Sequence, residues 1–224
     1  MLAGYRRSPR RPLKQPPDLT ILTCNSGSEG MGLLEESCER AGLKVQVCGQ
    51  GREPWVNSRD KPEALLEGLA LVRTPFVLYA DSRDAIVVSC LDKALREFRE
   101  SFDGCRMLFG ADRINWPHVR TFKKFEDGIA PPDSAEGFLY LNGGAWIGET
   151  DFSRRFFEEV LETEPVAEAA DSEQGRLKKL FPKFYPEVQL DYRCRLIQNL
   201  GFVLKPLMEE VPCESSSTAN SDIA

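Results

Sequence analysis

The chain has 224 residues, 42% of them hydrophobic and 29% charged, with a formal net charge of -6. That is an ordinary globular composition with room for one sizeable core. The negative balance speaks against nucleic acid or an anionic membrane as the main partner, because both reward a clustered basic surface, and the longest apolar runs stop short of the roughly 20 residues that a membrane span requires.

The opening "MLAGYRRSPRRPLKQPPD" is basic and Pro-rich without an apolar stretch behind the charges, so it does not read as a secretory signal. Residues 1–17 are expected to be a disordered leader, with a transit peptide as the alternative. "LTILTC" reads as a buried strand, followed by the Gly/Ser loop "NSGSEG". Leu33, Leu34, Cys38 and Ala41 then share one helical face that stops at Gly42. "KVQVCG", alternating Val45 and Val47, is a second strand. After the polar loop "GQGREPWVNSRD", Pro62 stands where a helix would begin, ahead of Leu65, Leu66, Leu69 and Val72.

"PFVLYA" is the third strand, Leu91, Leu95, Phe98 and Phe102 form a helical stripe, and "RMLFGA" is a fourth strand. A loop rich in Trp, Pro and Gly is expected through residue 138, then "FLYLNGGAWIG", a helix carrying Phe152, Phe156, Phe157 and Val160, a helix near 172–181, and the strand "EVQLDY". Strands alternating with helices imply an α/β domain with a mostly parallel, Rossmann-type sheet and helices on both faces. Its expected span is 18–211, with 212–224 as a disordered polar tail.

Cys24, Cys38, Cys48, Cys90, Cys105, Cys194 and Cys213 are scattered without a C-x-x-C pair. They read as buried free thiols of a reducing compartment, which points to the cytoplasm. With His118 as the single histidine, a zinc site is all but excluded.

The stretch "FVLYADSRDAIVV" places Asp81 and Asp84 at the end of a buried strand. Ligands of open parallel sheets bind beyond the carboxyl ends of the strands. Two acids so close repel unless something positive lies between them, and a divalent cation with oxygen ligands supplies that charge. The alternative is structural: Ser82 or Asp84 caps a turn and Asp81 meets a lysine or arginine. "FGADRINWP" repeats the placement with Asp112. "LYLNGGAWIG" adds Asn142, able to bond sugar hydroxyls, and Gly143 and Gly144, which either let backbone approach a ligand or form a tight hairpin.

Taken in order, "EPWVNSRDK", "YADSRDAIVV", "FGADRINWP", "FLYLNGGAWIG", "DSEQ" and "LDYRCRLIQNL" make the chain resemble, from about Leu19 to Phe202, the GT-A type glycosyltransferase domain of the procollagen lysyl hydroxylases. The resemblance implies that Asp81 and Asp84 hold Mn2+, or Mg2+, against the diphosphate of a UDP-sugar. It places Asn25, Trp55, Lys61, Ser82, Asp112, Trp116, Asn142, Gly143 and Gly144 at the donor site, and Asp171, Glu173 and Asp191 as the catalytic carboxylates.

One element of that pattern is missing: the family's further metal ligand, a histidine C-terminal to the matched region, has no counterpart here. His118 lies in "WPHVR", and Glu209 or Glu210 are the remaining candidates for an oxygen donor. The hydroxylase activity of the longer relatives is not implied, because an iron facial triad needs two histidines. The expected function is metal-dependent transfer of glucose or galactose from a UDP-sugar to a hydroxyl acceptor on a protein or glycan, such as hydroxylysine-linked sugar on a collagen-like chain. The alternatives are a nucleotide-sugar or protein-binding module without turnover and, less in keeping with the loop after the first strand, a nucleotidyltransferase.

Overall fold

The structure, a computed structural model, describes residues 13–135 and 137–201. Most of the expected leader and all of the expected tail lie outside the described residues, as do Glu209 and Glu210. Near its start the described chain is fastened to the domain, with Leu13 N–H donating to the Ala41 carbonyl at 2.8 Å and the Gln15 side chain accepting from Lys44 N–H at 2.9 Å.

Six strands form one sheet: β1 (Leu19–Cys24), β2 (Val45–Cys48), β3 (Phe76–Ala80), β4 (Met107–Asp112), β5 (Tyr140–Glu149) and β6 (Val188–Asp191). Their spatial order is β2-β1-β3-β5-β4-β6, and β5 alone runs antiparallel to its neighbours. The mostly parallel α/β sheet expected from the alternation of strands and helices is therefore present. Alternating side chains serve two cores. On one face, Tyr79, Phe109 and Trp146 meet the helices α2 (Asn57–Leu71), α5 (Thr150–Glu162) and α6 (Gln174–Phe184). On the other, Ile21, Leu108 and Ile147 meet α1 (Leu33–Ala41) and α3 (Leu91–Ser101). Among the described residues, no helix is long and apolar enough to cross a membrane.

Three local readings are corrected. Helix α2 begins at Asn57, so Pro62 lies inside it. A proline there leaves the carbonyl four residues back without its helical donor, and that carbonyl, Ser58 O, accepts instead from Arg176 Nη1 of α6 at 2.8 Å. The early start is fixed by Asp60, whose carboxylate takes the Val56 N–H at 2.5 Å. The stretch expected to be loop through 138 contains a helix, α4 (Arg120–Ile129), which buries Glu126. Finally, Gly143 and Gly144 are no hairpin. They lie within β5, at a register shift where Phe109 pairs with Trp146 but Gly110 pairs with Asn142. This bulge pushes backbone towards the carboxyl ends of the parallel strands.

Cys24, Cys38, Cys48, Cys105 and Cys194 are free, but Cys90 is disulfide-bonded. That corrects the expectation of free thiols at this position, and removes the support that the cysteines lent to a reducing, cytoplasmic compartment.

Candidate functional site

The carboxyl ends of β1, β3 and β4 and the β5 bulge converge on one polar corner. Side chains two apart on a strand share a face, so Tyr79 at the end of β3 points the same way as Asp81 just beyond it. Tyr79 donates its hydroxyl to Asp81 Oδ1 at 2.6 Å, and the ring stacks on its cross-strand partner Trp146, 5.5 Å between centroids. Burial, with Asp81 beside it, pushes the Tyr79 phenol well above its ordinary pKa, so it stays a donor.

Lys61 reaches the same oxygen from the first turns of α2. Its ammonium lies 2.7 Å from Asp81 Oδ1 and 2.6 Å from Glu173 Oε1, and its side chain is only 9% exposed. Burial alone would lower its pKa, but the two carboxylates overcome burial and hold it above the ordinary lysine value. Glu173, just ahead of α6, is fully engaged: Asn57 and Ser172 donate to its other oxygen at 3.5 and 3.3 Å.

Asp81 is held from the backbone as well, its N–H donating to the Gly144 carbonyl at 2.7 Å. A methyl group added at Gly144 would sit 3.1 Å from Asp81 Oδ2 and 2.9 Å from Asn142 Oδ1. Glycine is thus what admits the carboxylate against the bulge. At Gly143 an added methyl would collide with Leu177 at 2.5 Å, and the Gly143 N–H is held by Gln174 at 2.8 Å. Asn142 links Gly144 N–H, at 2.8 Å, to Asp112 Oδ2, at 2.9 Å, while Asp112 Oδ1 caps the loop after β4 through the Arg113 and Ile114 amides.

A second cluster adjoins the first. Asn25 Nδ2 donates to Glu35 at 2.7 Å and Ser82 Oγ at 3.1 Å, and Ser82 donates to Glu35 at 2.8 Å. Glu35 is buried in the first turn of α1. Asn25, Gly30, Met31, Glu35, Val47 and Gln50 help to line a cavity of about 510 Å³ beside it.

Asp84 stands exposed in the turn that follows Ser82. Partial burial and then the negative charge of Asp81 raise its carboxyl pKa, while Lys61 draws it down. Both acids therefore share one field. Asp81 Oδ1 is taken by Tyr79 and Lys61, but no side chain or amide among the described residues donates to Oδ2. Two close carboxylates with an unpaired oxygen suit a hard divalent cation whose remaining positions go to water and ligand oxygens. The described residues contain no group of three His, Cys, Asp or Glu side chains that could hold a metal by themselves.

Other residues expected at the site make no hydrogen bond to Asp81, Lys61 or Glu173. Trp55 lies over Gly49, where an added methyl would come within 2.8 Å of its ring, and Trp55 Nε1 reaches Asn57 at 3.4 Å. Trp116 is 39% exposed in the loop after β4. That loop is anchored by Asn115, which accepts from the buried Lys178 at 2.7 Å, itself paired with Glu126 at 2.9 Å. Asp171 is exposed in the turn ahead of α6. Asp191, fully buried at the end of β6, accepts from the Arg195, Leu196 and Ile197 amides at 3.0, 2.7 and 2.9 Å.

The model of the PLOD GT domain family matches residues 15–222. The chain belongs to that family. It is 26% identical over 203 residues to "Procollagen-lysine,2-oxoglutarate 5-dioxygenase" of Drosophila melanogaster, covering 89% of this chain and 24% of that protein. It is 27% identical over 206 residues to "Procollagen-lysine,2-oxoglutarate 5-dioxygenase 1" of Homo sapiens, covering 85% of this chain and 26% of that protein. The PLOD GT-like chain thus spans about a quarter of the length of these relatives. Among solved structures, a glycosyltransferase involved in glycosylation of the major capsid of PBCV-1 matches at 15% identity with a TM-score of 0.46, covering 78% of this chain and 81% of that one.

Four contributors to the corner were not singled out from the sequence: Tyr79, Glu35, Asn57 and Gln174. For Tyr79 a signal existed, since it precedes Asp81 by two on a strand. Gln174 stands in "DSEQ" next to a singled-out acid. Glu35 and Asn57 are set by tertiary packing, and nothing in their local sequence marks them.

Proposed function

We propose that this PLOD GT domain transfers a hexose, glucose or galactose, from a UDP-sugar to a hydroxyl acceptor on a protein or glycan, such as hydroxylysine-linked sugar on a collagen-like chain, with Mn2+ or Mg2+ held by Asp81 and Asp84. The observation that carries this reading is Asp81 itself. It is oriented by Tyr79, Lys61 and the Gly144 carbonyl, and its Oδ2 takes no hydrogen bond from the described residues, which supports a cation there.

A cation bound there supplies Lewis-acid stabilisation of the departing diphosphate. The chain's own residues do the rest. Lys61 adds a fixed positive charge in a dry setting, where it needs no reorganisation as negative charge develops. Glu173 holds that ammonium in place. Asn25 and Glu35, tied together by Ser82, form part of the polar wall of the 510 Å³ cavity, which in this reading receives the nucleoside. Asn142 and Asp112 offer hydrogen bonds to sugar hydroxyls across the glycine bulge; in this reading Trp116 covers the sugar and Asp171 serves the acceptor side.

The test is calorimetric titration with UDP, with and without Mn2+, followed by UDP-sugar hydrolysis and transfer assays. Metal-stimulated release of hexose supports the proposal. UDP binding without metal-stimulated turnover would favour a nucleotide-sugar binding module, the reading that a two-carboxylate donor set also permits.

A further inference from the structure

Behind the donor corner lies a pair of thiols that the proposed chemistry does not use. Cys24 ends β1 and Cys48 ends β2, and the two are register partners in adjacent parallel strands. Their sulfurs are 3.3 Å apart. Neighbouring strands place partner Cα atoms about 4.8 Å apart, inside the range of roughly 4.4–6.8 Å that disulfides span, and a bond length of about 2.05 Å asks the sulfurs to close by only about 1.2 Å. Both side chains are half-buried.

We propose that Cys24 and Cys48 form a thiol–disulfide modification site, closed by exchange with a low-molecular-weight disulfide of the glutathione type, and that closure locks the two loops framing the Asn25 cavity. The Cys48 thiolate attacks one sulfur of glutathione disulfide and displaces one glutathione thiolate, which takes up the proton that Cys48 gave off. Cys24 then gives up its own proton and attacks Cys48 Sγ in the mixed disulfide, expelling the second glutathione. Two S–H bonds are lost from the protein and one S–S bond forms, and the two electrons leave in two molecules of glutathione.

Cys24 enters second because its thiolate is disfavoured where it stands. Burial, reinforced by Cys48, holds its pKa well above the usual value, and its sulfur lies 3.8 Å under the Lys61 carbonyl. Cys48 Sγ donates to the Thr23 carbonyl at 3.0 Å. It fits against α2 because residue 68 is glycine, where an added methyl would come within 3.1 Å of the sulfur. The disulfide at Cys90 shows that the chain already carries one oxidised cysteine.

The two cysteines sit at the roots of both loops. Asn25 follows Cys24, and its N–H is bound to the Cys48 carbonyl at 2.9 Å. Gly49 follows Cys48, with φ +82° and the Trp55 ring upon it. Tying these roots together removes freedom from the unliganded cavity, and pre-organisation favours the bound form. The effect on UDP rests on the proposed donor site, whereas formation of the bond does not.

The experiment equilibrates the full chain with mixtures of oxidised and reduced glutathione, blocks remaining thiols, and maps disulfides by peptide mass spectrometry, alongside UDP titration of both forms. A Cys24–Cys48 linked peptide, absent from C24S and from C48S, is expected, with UDP bound about threefold more tightly by the oxidised chain. Full alkylation of both cysteines even in pure glutathione disulfide overturns the modification site. A mapped bond with equal UDP affinity in the two forms overturns the lock on the cavity. Absence of UDP binding in both forms counts against the donor site and against the lock, while the peptide map still decides the thiol site.

Discussion

Asp81, just beyond β3, and Asp191, at the end of β6, stand at the same carboxyl-end side of the sheet, yet their carboxylates are held in opposite ways. Asp191 is fully buried and accepts from three successive backbone amides, so its charge is spent on closing the turn after β6. The Asp81 side chain is 34% exposed, and its partners, Lys61 and Tyr79, both approach one oxygen. An acid at a strand end therefore does not by itself mark a binding site. What separates the two is whether the following loop turns its amides back on the carboxylate or leads away from it. After Asp191 the loop turns back, and after Asp81 it leads to Asp84.

The comparison is broken most severely at Lys61. Replacing it with methionine leaves Asp81 and the buried Glu173 facing each other without a counter-charge, and losing one partner of a buried pair costs about 3–5 kcal/mol. Urea unfolding of K61M should show that loss, and K61M/E173Q should recover part of it. If K61M is as stable as the parent chain, the ammonium does not bridge the two acids. D191A comes next. Three amides lose their acceptor, a fully buried carboxylate in a partly buried turn, for an expected cost of about 2–3 kcal/mol, while the UDP affinity of the folded fraction is unchanged. A selective loss of UDP binding with unchanged stability would instead make Asp191 a site residue and erase the contrast with Asp81.

The regular half of the fold was legible because strand period and helical stripe agree there. "LTILTC" and "PFVLYA" each state one answer, and the stripe from Leu33 to Ala41 marks its helix, although Leu33 itself is 51% exposed and Glu35 is buried beside Leu34 and Cys38. Helix α4 was not, although Phe122, Phe125 and Ile129 recur at helical spacing and Phe125 and Ile129 pack on the core: the stripe is short, a glycine interrupts it, and its most buried residue is Glu126, which meets Lys178 only in three dimensions. The start of α2 was misplaced because proline is a common first residue of helices, whereas here the carbonyl it orphans finds Arg176, 118 positions away. In the site, the acids could be listed from strand ends, but their partners could not. Lys61 and Glu173 are 112 positions apart (173 - 61), and nothing local tells that one ammonium serves both Asp81 and Glu173.

Asp84 sharpens the comparison from the open side. It is exposed and lies on a turn, so D84A should change stability by no more than about 0.5 kcal/mol. The metal-dependent part of UDP affinity should fall at least tenfold, about 1.4 kcal/mol. Titrations with and without Mn2+ read the two terms separately. A variant that still gains affinity from Mn2+ as the parent does would remove Asp84 from the cation site, leaving Asp81 to act with Lys61 alone.

The smallest effect is expected at Trp116, which tests how far the open corner extends along the sheet edge. Trp146, fully buried between Tyr79 and Phe157, is core. Trp116 shows 39% of its surface and rides on a loop fixed through Asn115 and Lys178. Removing an exposed ring should barely alter stability. If the ring covers the sugar, W116A should slow transfer about fivefold, roughly 1 kcal/mol, with UDP affinity unchanged. Equal losses in transfer and in UDP binding would move Trp116 from the sugar to the nucleotide, and the loop after β4 would then belong to the same wall as Asn25.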